Sequence, residues 1–313
     1  MKIRKNKSAV FVLLICWLLV VIKIVFANDS GAEMGASGLQ LKKIENVSVE
    51  MEDLYISQKK IEVAYLFKNH SDKDITTEIA FPVPEYTTED AQRGLPFDDF
   101  VIEVNGEKIK HNSEIKALLH GKDYSVILRK MGISIHDFGG FSEPQYRNFY
   151  QDLSEKNKKV LRNKGLVDDD GYPSWRVSIK YHWTQTFPAK STTAIKHTYT
   201  PWWGYFYFST DQTADKNAFI ERACVNADIA RWISNQSQVY VNTVAYILTT
   251  ARNWRGPIKE FHLVIEKKDH QLVSLCFDGK LNKISDTQYE SYIKDYIPKQ
   301  NLMIYYLLRS SGR

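Results

Sequence analysis

The chain has 313 residues, 43% of them apolar and 13% aromatic, enough for a sizeable core in one large or two ordinary domains. Its formal charge of +5 resides in the first 27 residues, where Lys2, Arg4, Lys5, Lys7 and Lys23 stand without an acidic partner, so the remainder is formally neutral. Basic and acidic residues alternate freely through that remainder, which excludes the basic stripe of a nucleic-acid binder.

Residues 1–27 have the layout of a secretory signal: a basic start, the apolar run Ala9 to Ile22, and a small-residue exit at Val25-Phe26-Ala27. Cleavage after Ala27 predicts a periplasmic or secreted chain beginning at Asn28. The alternative is an uncleaved inner-membrane anchor over residues 9–27, which is the one membrane contact to be expected. Lys23 argues against that anchor, because a charge inside a span is costly. Beyond the leader only Cys224 and Cys276 remain. In an oxidising compartment this pair is a disulfide candidate, with two free buried thiols as the alternative. A bridge closing a loop of about fifty residues contributes around 4 kcal/mol in the chain-entropy model.

Period-two alternation dominates the chain beyond the leader. Ile61, Val63, Tyr65 and Phe67 alternate with Glu62, Ala64, Leu66 and Lys68, and Val177, Ile179, Tyr181 and Trp183 alternate with Ser178, Lys180, His182 and Thr184. Each set predicts a half-buried strand of an antiparallel sheet. Asn105-Gly106 between Phe100–Val104 and Glu107–Lys110 predicts a two-residue hairpin, because a type I′ turn needs positive φ at both positions. Pro82 and Pro84 end or edge a strand, since neither donates to a ladder.

From Asn112 to Tyr172 the pattern turns helical. A short helix is expected within Asp123 to Met131. A longer one starts at the capping box Ser142-Glu143-Pro144-Gln145, runs through Tyr146, Phe149, Tyr150, Leu153, Val160 and Leu161, and stops at Gly165. Asp168-Asp169-Asp170-Gly171 then reads as a solvated turn, because the distal glutamate of a calcium loop is missing. A further helix is expected within Asn217 to Ile233. Strands are expected at Val239–Leu248, Ile258–Glu266, Leu272–Phe277 and Leu302–Leu308. The fold expected is therefore mainly β (α+β). An antiparallel β-sandwich over 28–200 carries a helical insertion near 113–172, and a second β-rich domain with one helix occupies 201–313.

Thr200 to Thr210, TPWWGYFYFST, places six aromatic rings between Trp202 and Phe208. In a strand, Phe206 and Phe208 share one face and Tyr205 and Tyr207 the other. That alternation sends the phenylalanines to a core and the tyrosines to solvent or a second layer. Trp202 and Trp203 precede Gly204 in a loop, where indoles either plug a junction or present a recognition surface. Trp202, Trp203, Tyr205 and Tyr207 are thus the candidate binding residues.

Signatures of catalysis are lacking. There is no G-x-S-x-G, Walker loop or G-x-G-x-x-G, so no catalytic residue, cofactor or metal is assigned. Gly139-Gly140 reads as a turn. His182 and His197 lie in strands and read as the wet face of a sheet, with a metal pair across adjacent strands as the lesser alternative.

The stretches NDSGAEMGASGLQL, MEDLYISQKKIEVAYLFKNHSDKDITTEIAFPVP, WTQTFPAKSTTAIKHTYTP and YILTTARNWRGPIKEFHLVIEK followed by LVSLCF occur in this order over nearly all of the chain beyond the leader. They resemble an uncharacterised family of exported bacterial proteins, a domain of unknown function (DUF4424). The resemblance implies export and an envelope setting and carries no catalytic residue; the rings of Trp202 to Phe208 are not part of it. YLFKN, IAFPVP and FPAKSTTAIKHTY are also similar in layout to the vault/inter-alpha-trypsin type of β-sandwich module, which serves assembly and interaction. Two functions are therefore expected. The first is a non-enzymatic envelope module whose partner is a protein or a glycan. The alternative is an envelope enzyme acting on a glycan or cell-wall substrate, with a tryptophan platform and two carboxylates roughly 5 to 9.5 Å apart.

Overall fold

The structure, a computed structural model, describes residues 29–35, 38–87, 99–135 and 149–308. The leader, the capping box at Ser142 and the Gly139-Gly140 pair lie outside the described residues. The chain opens with β1 (Ser30–Gly35), β2 (Gly38–Lys42), β3 (Val47–Ile56), β4 (Ile61–Asn69), β5 (Ile75–Pro82) and β6 (Tyr86–Thr87). The hairpin β7 (Val101–Val104) and β8 (Glu107–Ile109) leads to β9 (Asn112–Leu119) and β10 (Lys122–Asp123). Helices α1 (Ser125–Lys130) and α2 (Glu155–Asn163) precede β11 (Arg176–Phe187), β12 (Thr192–Tyr199) and β13 (Trp203–Ser209). Helices α3 (Thr213–Arg222) and α4 (Ala227–Ser234), then β14 (Gln238–Tyr246) and a 3-10 turn over Thr249–Asn253, come next. The chain ends in β15 (Ile258–Glu266), β16 (Gln271–Ser274), β17 (Asn282–Lys283), β18 (Gln288–Tyr296) and β19 (Leu302–Leu308).

The protein is mainly β. One sheet has the order β10-β9-β11-β5-β1-β2, with β6 beside β11. A second runs β17-β18-β15-β3-β4-β12-β7-β8, and a third β13-β14-β19-β16. The inward sets expected in β4 and β11 are buried: Ile61, Val63 and Phe67 are at 0% exposure, and Tyr65, Val177, Ile179, Tyr181 and Trp183 are buried with them. They meet in one large core between the first two sheets, since a half-apolar sheet must bury that face against another layer. Each fully buried chain of the Phe67 kind contributes about 1.5–3 kcal/mol relative to exposure. Asn105 and Gly106 turn the β7–β8 hairpin at φ 51° and 87°, both in the left-handed region that the sequence demanded.

Strands from both sides of the boundary expected after residue 200 share the second sheet, where β15 lies parallel to β3 with Leu263 beside Leu54. The third sheet sends Val244, Tyr246, Ile304 and Tyr306 to the large core. Its opposite face meets α3 and α4 in a second core of Phe208, Val239, Val241 and Leu307 against Phe219, Ala223, Ile229 and Ile233.

Three helical expectations change. Asn112–Leu119, expected to be helical, is strand β9 and pairs with β11 from Leu118↔Arg176 to Asn112↔His182; ladder pairing overrides the helix preference of its Glu, Lys, Ala and Leu residues. The helix expected to run from Ser142 to Gly165 is capped anew at Ser154, whose side chain accepts from the Asn157 amide at 3.3 Å, although Gly165 does end it at φ 65°. The single helix expected within Asn217–Ile233 is two. Cys224 takes φ 49°, and Asn226 then caps α4 by accepting from the Ile229 amide at 2.9 Å.

Candidate functional site

Strand β13 carries the aromatic stretch and is an edge of the third sheet. Its alternation is as expected: Phe206 and Phe208 pack toward Phe219 of α3, with ring centroids 6.0 and 4.9 Å away. On the other face Tyr205 is 40% exposed and Tyr207 61%, and Tyr207 stands directly opposite Tyr240 of β14, itself 40% exposed. The Tyr240 ring lies 6.3 Å from Tyr205 and 5.9 Å from Tyr207, and its hydroxyl donates to Gln238 Oε1 at 2.8 Å. Ser209, Gln238 and Asn242 share this face by register, so β13 and β14 present three phenols, two amides and a hydroxyl there, with no charge. Burial, and then the neighbouring phenols of Tyr240 and Tyr207, push the Tyr205 phenol up from its ordinary pKa. Gly204 is required by close approach, because a Cβ there would lie 2.7 Å from Thr243 Oγ1.

Trp202 and Trp203 have a different environment. Both are half-buried and pack against the large core. Trp202 stacks on Tyr86 at 4.9 Å and 29°, and its buried Nε1 has no hydrogen-bond partner among the described residues. The loop before them is pinned where Thr200 donates from its amide and hydroxyl to the Asp99 carboxylate, at 2.9 and 2.7 Å. The structure therefore groups Tyr205 and Tyr207 with Tyr240; Trp203, expected in a loop, is instead the first residue of β13 and shares their face opposite Val244, where that face turns to the large core, and Trp202 alone lies off the strand. Sequence reasoning misses Tyr240. Val239-Tyr240-Val241 shows that it faces away from the second core, but only the β13–β14 register reveals its neighbours.

Cys224 and Cys276 form a disulfide across a separation of 52 residues. The bridge clips the end of α3 to the chain just beyond β16, beside a bond from Ser274 Oγ to the Ala223 carbonyl at 2.8 Å. The second core is thus held by a covalent tie as well as by packing.

His182 and His197 do not meet. The Pro188–Ser191 turn carries the chain from the first sheet to the second, so β11 and β12 are not neighbours. His182 remains half-buried, its Nδ1 2.5 Å from Glu78 Oε1. His197 is not on a wet face: it is fully buried among the rings of Tyr65, Phe81, Phe100 and Trp183, at centroid distances of 5.8, 4.8, 5.5 and 5.5 Å. Its Nε2 meets the fully buried Asp29 Oδ1 at 2.9 Å. The remaining polar atoms of the pair, Asp29 Oδ2 and His197 Nδ1, have no partner among the described residues. Burial raises the Asp29 carboxyl above its ordinary pKa, against the opposing pull of His197. The Asp29 carbonyl accepts from Trp254 Nε1 at 2.6 Å, and Ser30 Oγ accepts from Asn253 Nδ2 at 2.8 Å, so the start of the described chain is locked into the interior. The phase Ile195, His197, Tyr199 marks the histidine as inward; nothing in the sequence marks its partner.

Two further polar groups bear on chemistry. Tyr65 and Tyr246 share a bond of 2.8 Å, and Tyr246 donates to the fully buried Glu52 at 3.3 Å. Burial, then the surrounding acidic groups, hold both phenols far above their ordinary pKa, so they are neutral hydrogen-bonding ties. Ser48 Oγ lies 2.7 Å from His70 Nε2, a nucleophile–base distance, but Glu50 bonds the same hydroxyl and stands 3.8 Å from the same nitrogen. A catalytic triad places its acid on the other imidazole nitrogen to orient the ring, so this cluster is a surface clasp. Among the described residues no group of three or more His, Cys, Asp or Glu is placed to hold a metal, and no helix is long and apolar enough to cross a membrane.

A family profile described as a domain of unknown function (DUF4424) matches residues 27–305. No curated protein matches the chain. Among solved structures, a candidate nutrient-binding protein of Legionella pneumophila is 11% identical, with 90% of this chain and 70% of that one covered at a TM-score of 0.43. An M1 zinc metallopeptidase from Deinococcus radiodurans is 6% identical, with 84% and 43% covered at 0.27. Yeast LTA4 hydrolase is 12% identical, with 86% and 30% covered at 0.28. The chain spans less than half the length of either of the last two proteins. At these scores neither nutrient binding nor peptidase chemistry carries over.

Proposed function

The chain belongs to the DUF4424 family, and we propose that it is a non-enzymatic β-rich binding or assembly module of the bacterial envelope that makes contact through Tyr205, Tyr207 and Tyr240. The observation carrying this reading is the uncharged tyrosine face on a sheet whose opposite face is packed and tied by a disulfide. Tyrosine offers a large amphipathic contact area at low conformational-entropy cost, and a rigid backing keeps that area presented. Residues 1–27 direct export with cleavage near Ala27, and the Cys224–Cys276 bridge suits an oxidising compartment. The partner is an envelope protein or a glycan.

Retention of the purified protein on isolated envelope material tests this, with the Tyr205→Ser/Tyr207→Ser variant alongside. We expect at least a tenfold loss of retention in the variant. Equal retention would remove the tyrosine face from the reading, and saturable turnover of an envelope substrate would replace the module with an enzyme.

A further inference from the structure

We propose that β13 pairs with β13 of a second copy, antiparallel and centred on Phe206, to give a two-fold dimer. A sheet edge is an open row of amides and carbonyls, and soluble proteins blunt such edges with short strands, charges, prolines or bulges. Among the described residues the other sheet ends follow that rule. β17 is Asn282–Lys283, β10 is Lys122–Asp123, β8 is Glu107–Ile109 with Lys108 inside it, and β2 ends on Lys42. β16, uncharged, is only four residues long. β13 is seven residues long, without charge or proline, and pairs with β14 in unbroken register from Trp203↔Val244 to Ser209↔Gln238. Among these edges it is the longest and the one without protection.

Its sequence, WGYFYFS, is also complementary to itself. Centred on Phe206, an antiparallel register sets Tyr205 opposite Tyr207 of the second copy, Gly204 opposite Phe208, and Trp203 opposite Ser209. Aromatic residues therefore meet at the middle, and a bulky side chain meets a small one toward each end. Aromatic cross-strand pairs of this kind favour sheet pairing. Because a two-fold axis perpendicular to the sheet leaves each face on its own side, the four-stranded sheet becomes one of eight strands. Its tyrosine face becomes six rings drawn from both copies. An isologous contact closes on itself and does not propagate into fibres, so self-pairing would also shield an edge that invites aggregation. This pairing stands independently of whether the tyrosine face binds an envelope partner.

Sedimentation of the purified protein over a dilution series, with two double variants, tests the pairing. The unmodified protein should sediment at twice the chain mass. Tyr205→Lys/Tyr207→Lys places lysine opposite lysine on both sides of the axis and should shift the protein to monomer while its circular dichroism stays unchanged. Tyr205→Cys/Tyr207→Cys brings the new thiols of two copies face to face, and a covalent dimer should appear on a non-reducing gel, which reads the pairing even where the lysine variant fails to fold. A monomer at every concentration overturns the proposal, as does a dimer that persists with lysine and forms no cysteine cross-link.

Discussion

The core between the two large sheets and the core beneath the four-stranded sheet use aromatic residues in opposite ways. In the first, Tyr65, Phe67, Phe81, Trp183 and Trp254 are buried, and even the charged groups inside, Asp29 and Glu52, are drawn into hydrogen bonds. In the second, Phe206 and Phe208 point to the helices while Tyr205, Tyr207 and Tyr240 face outward from the same two strands. The first region satisfies every layer within one chain; in the second, the face that sends Val244, Tyr246, Ile304 and Tyr306 to the large core stays exposed at Tyr205, Tyr207 and Tyr240, beside the sheet edge β13. That difference is why the contact role is proposed for the second region and the larger losses of stability are expected from the first.

The largest break should come from Asp29→Ala. Removing one partner of a buried pair strands the other, here His197, and costs about 3–5 kcal/mol. Urea unfolding would measure it, and a loss below about 1 kcal/mol would mean that the pair holds little. Cys224→Ser/Cys276→Ser should cost about 2–4 kcal/mol, with the loss concentrated in the second region. Hydrogen exchange should therefore speed up in α3 and β16 and stay slow in β4 and β12; a uniform acceleration would merge the two regions into one cooperative unit.

A smaller effect should follow pH. Glu114 on β9 is pushed up by burial, but the Leu39 amide at 2.8 Å, Lys116 and Lys180 outweigh that and hold it below its ordinary 4.5. A carboxylate depressed in the folded state binds fewer protons there than when unfolded. Its contribution is complete above about pH 4.5 and is lost as pH falls through the lower folded value. Glu114→Gln should flatten that part of the stability–pH curve, and an unchanged slope would place the acid sensitivity elsewhere. The smallest effect on stability should be that of Tyr207→Ser, within about 0.5 kcal/mol, because the ring is exposed; a thermal melt well below the parent would show that the tyrosine face supports the fold.

Much of the strand pattern is legible in the residues. Alternation in β4 and β11 marks every inward side chain, Asn105-Gly106 marks its hairpin, and Ile258–Glu266 and Leu302–Leu308 are expected at their observed ends. β9 is not legible, because a strand of good helix formers is held by its neighbour β11, and β18 escapes notice because QYESYIKDY mixes polar residues onto both faces. At the candidate site the outward turn of Tyr205 and Tyr207 follows from period two, whereas the half-burial of Trp202 and Trp203 depends on the large core and on Tyr86.

The sequence alone determined the local alternation of faces, because neighbouring side chains on a strand must point opposite ways whatever lies around them. It also determined the turns that only glycine and asparagine accept readily. The tertiary structure alone decided that β15 lies beside β3, that His197 meets Asp29, that Tyr240 joins Tyr205 and Tyr207, and that β13 is an edge. Each of these joins residues far apart in the chain, and the order of strands in a sheet is set by the burial of whole faces against one another, which no local pattern contains.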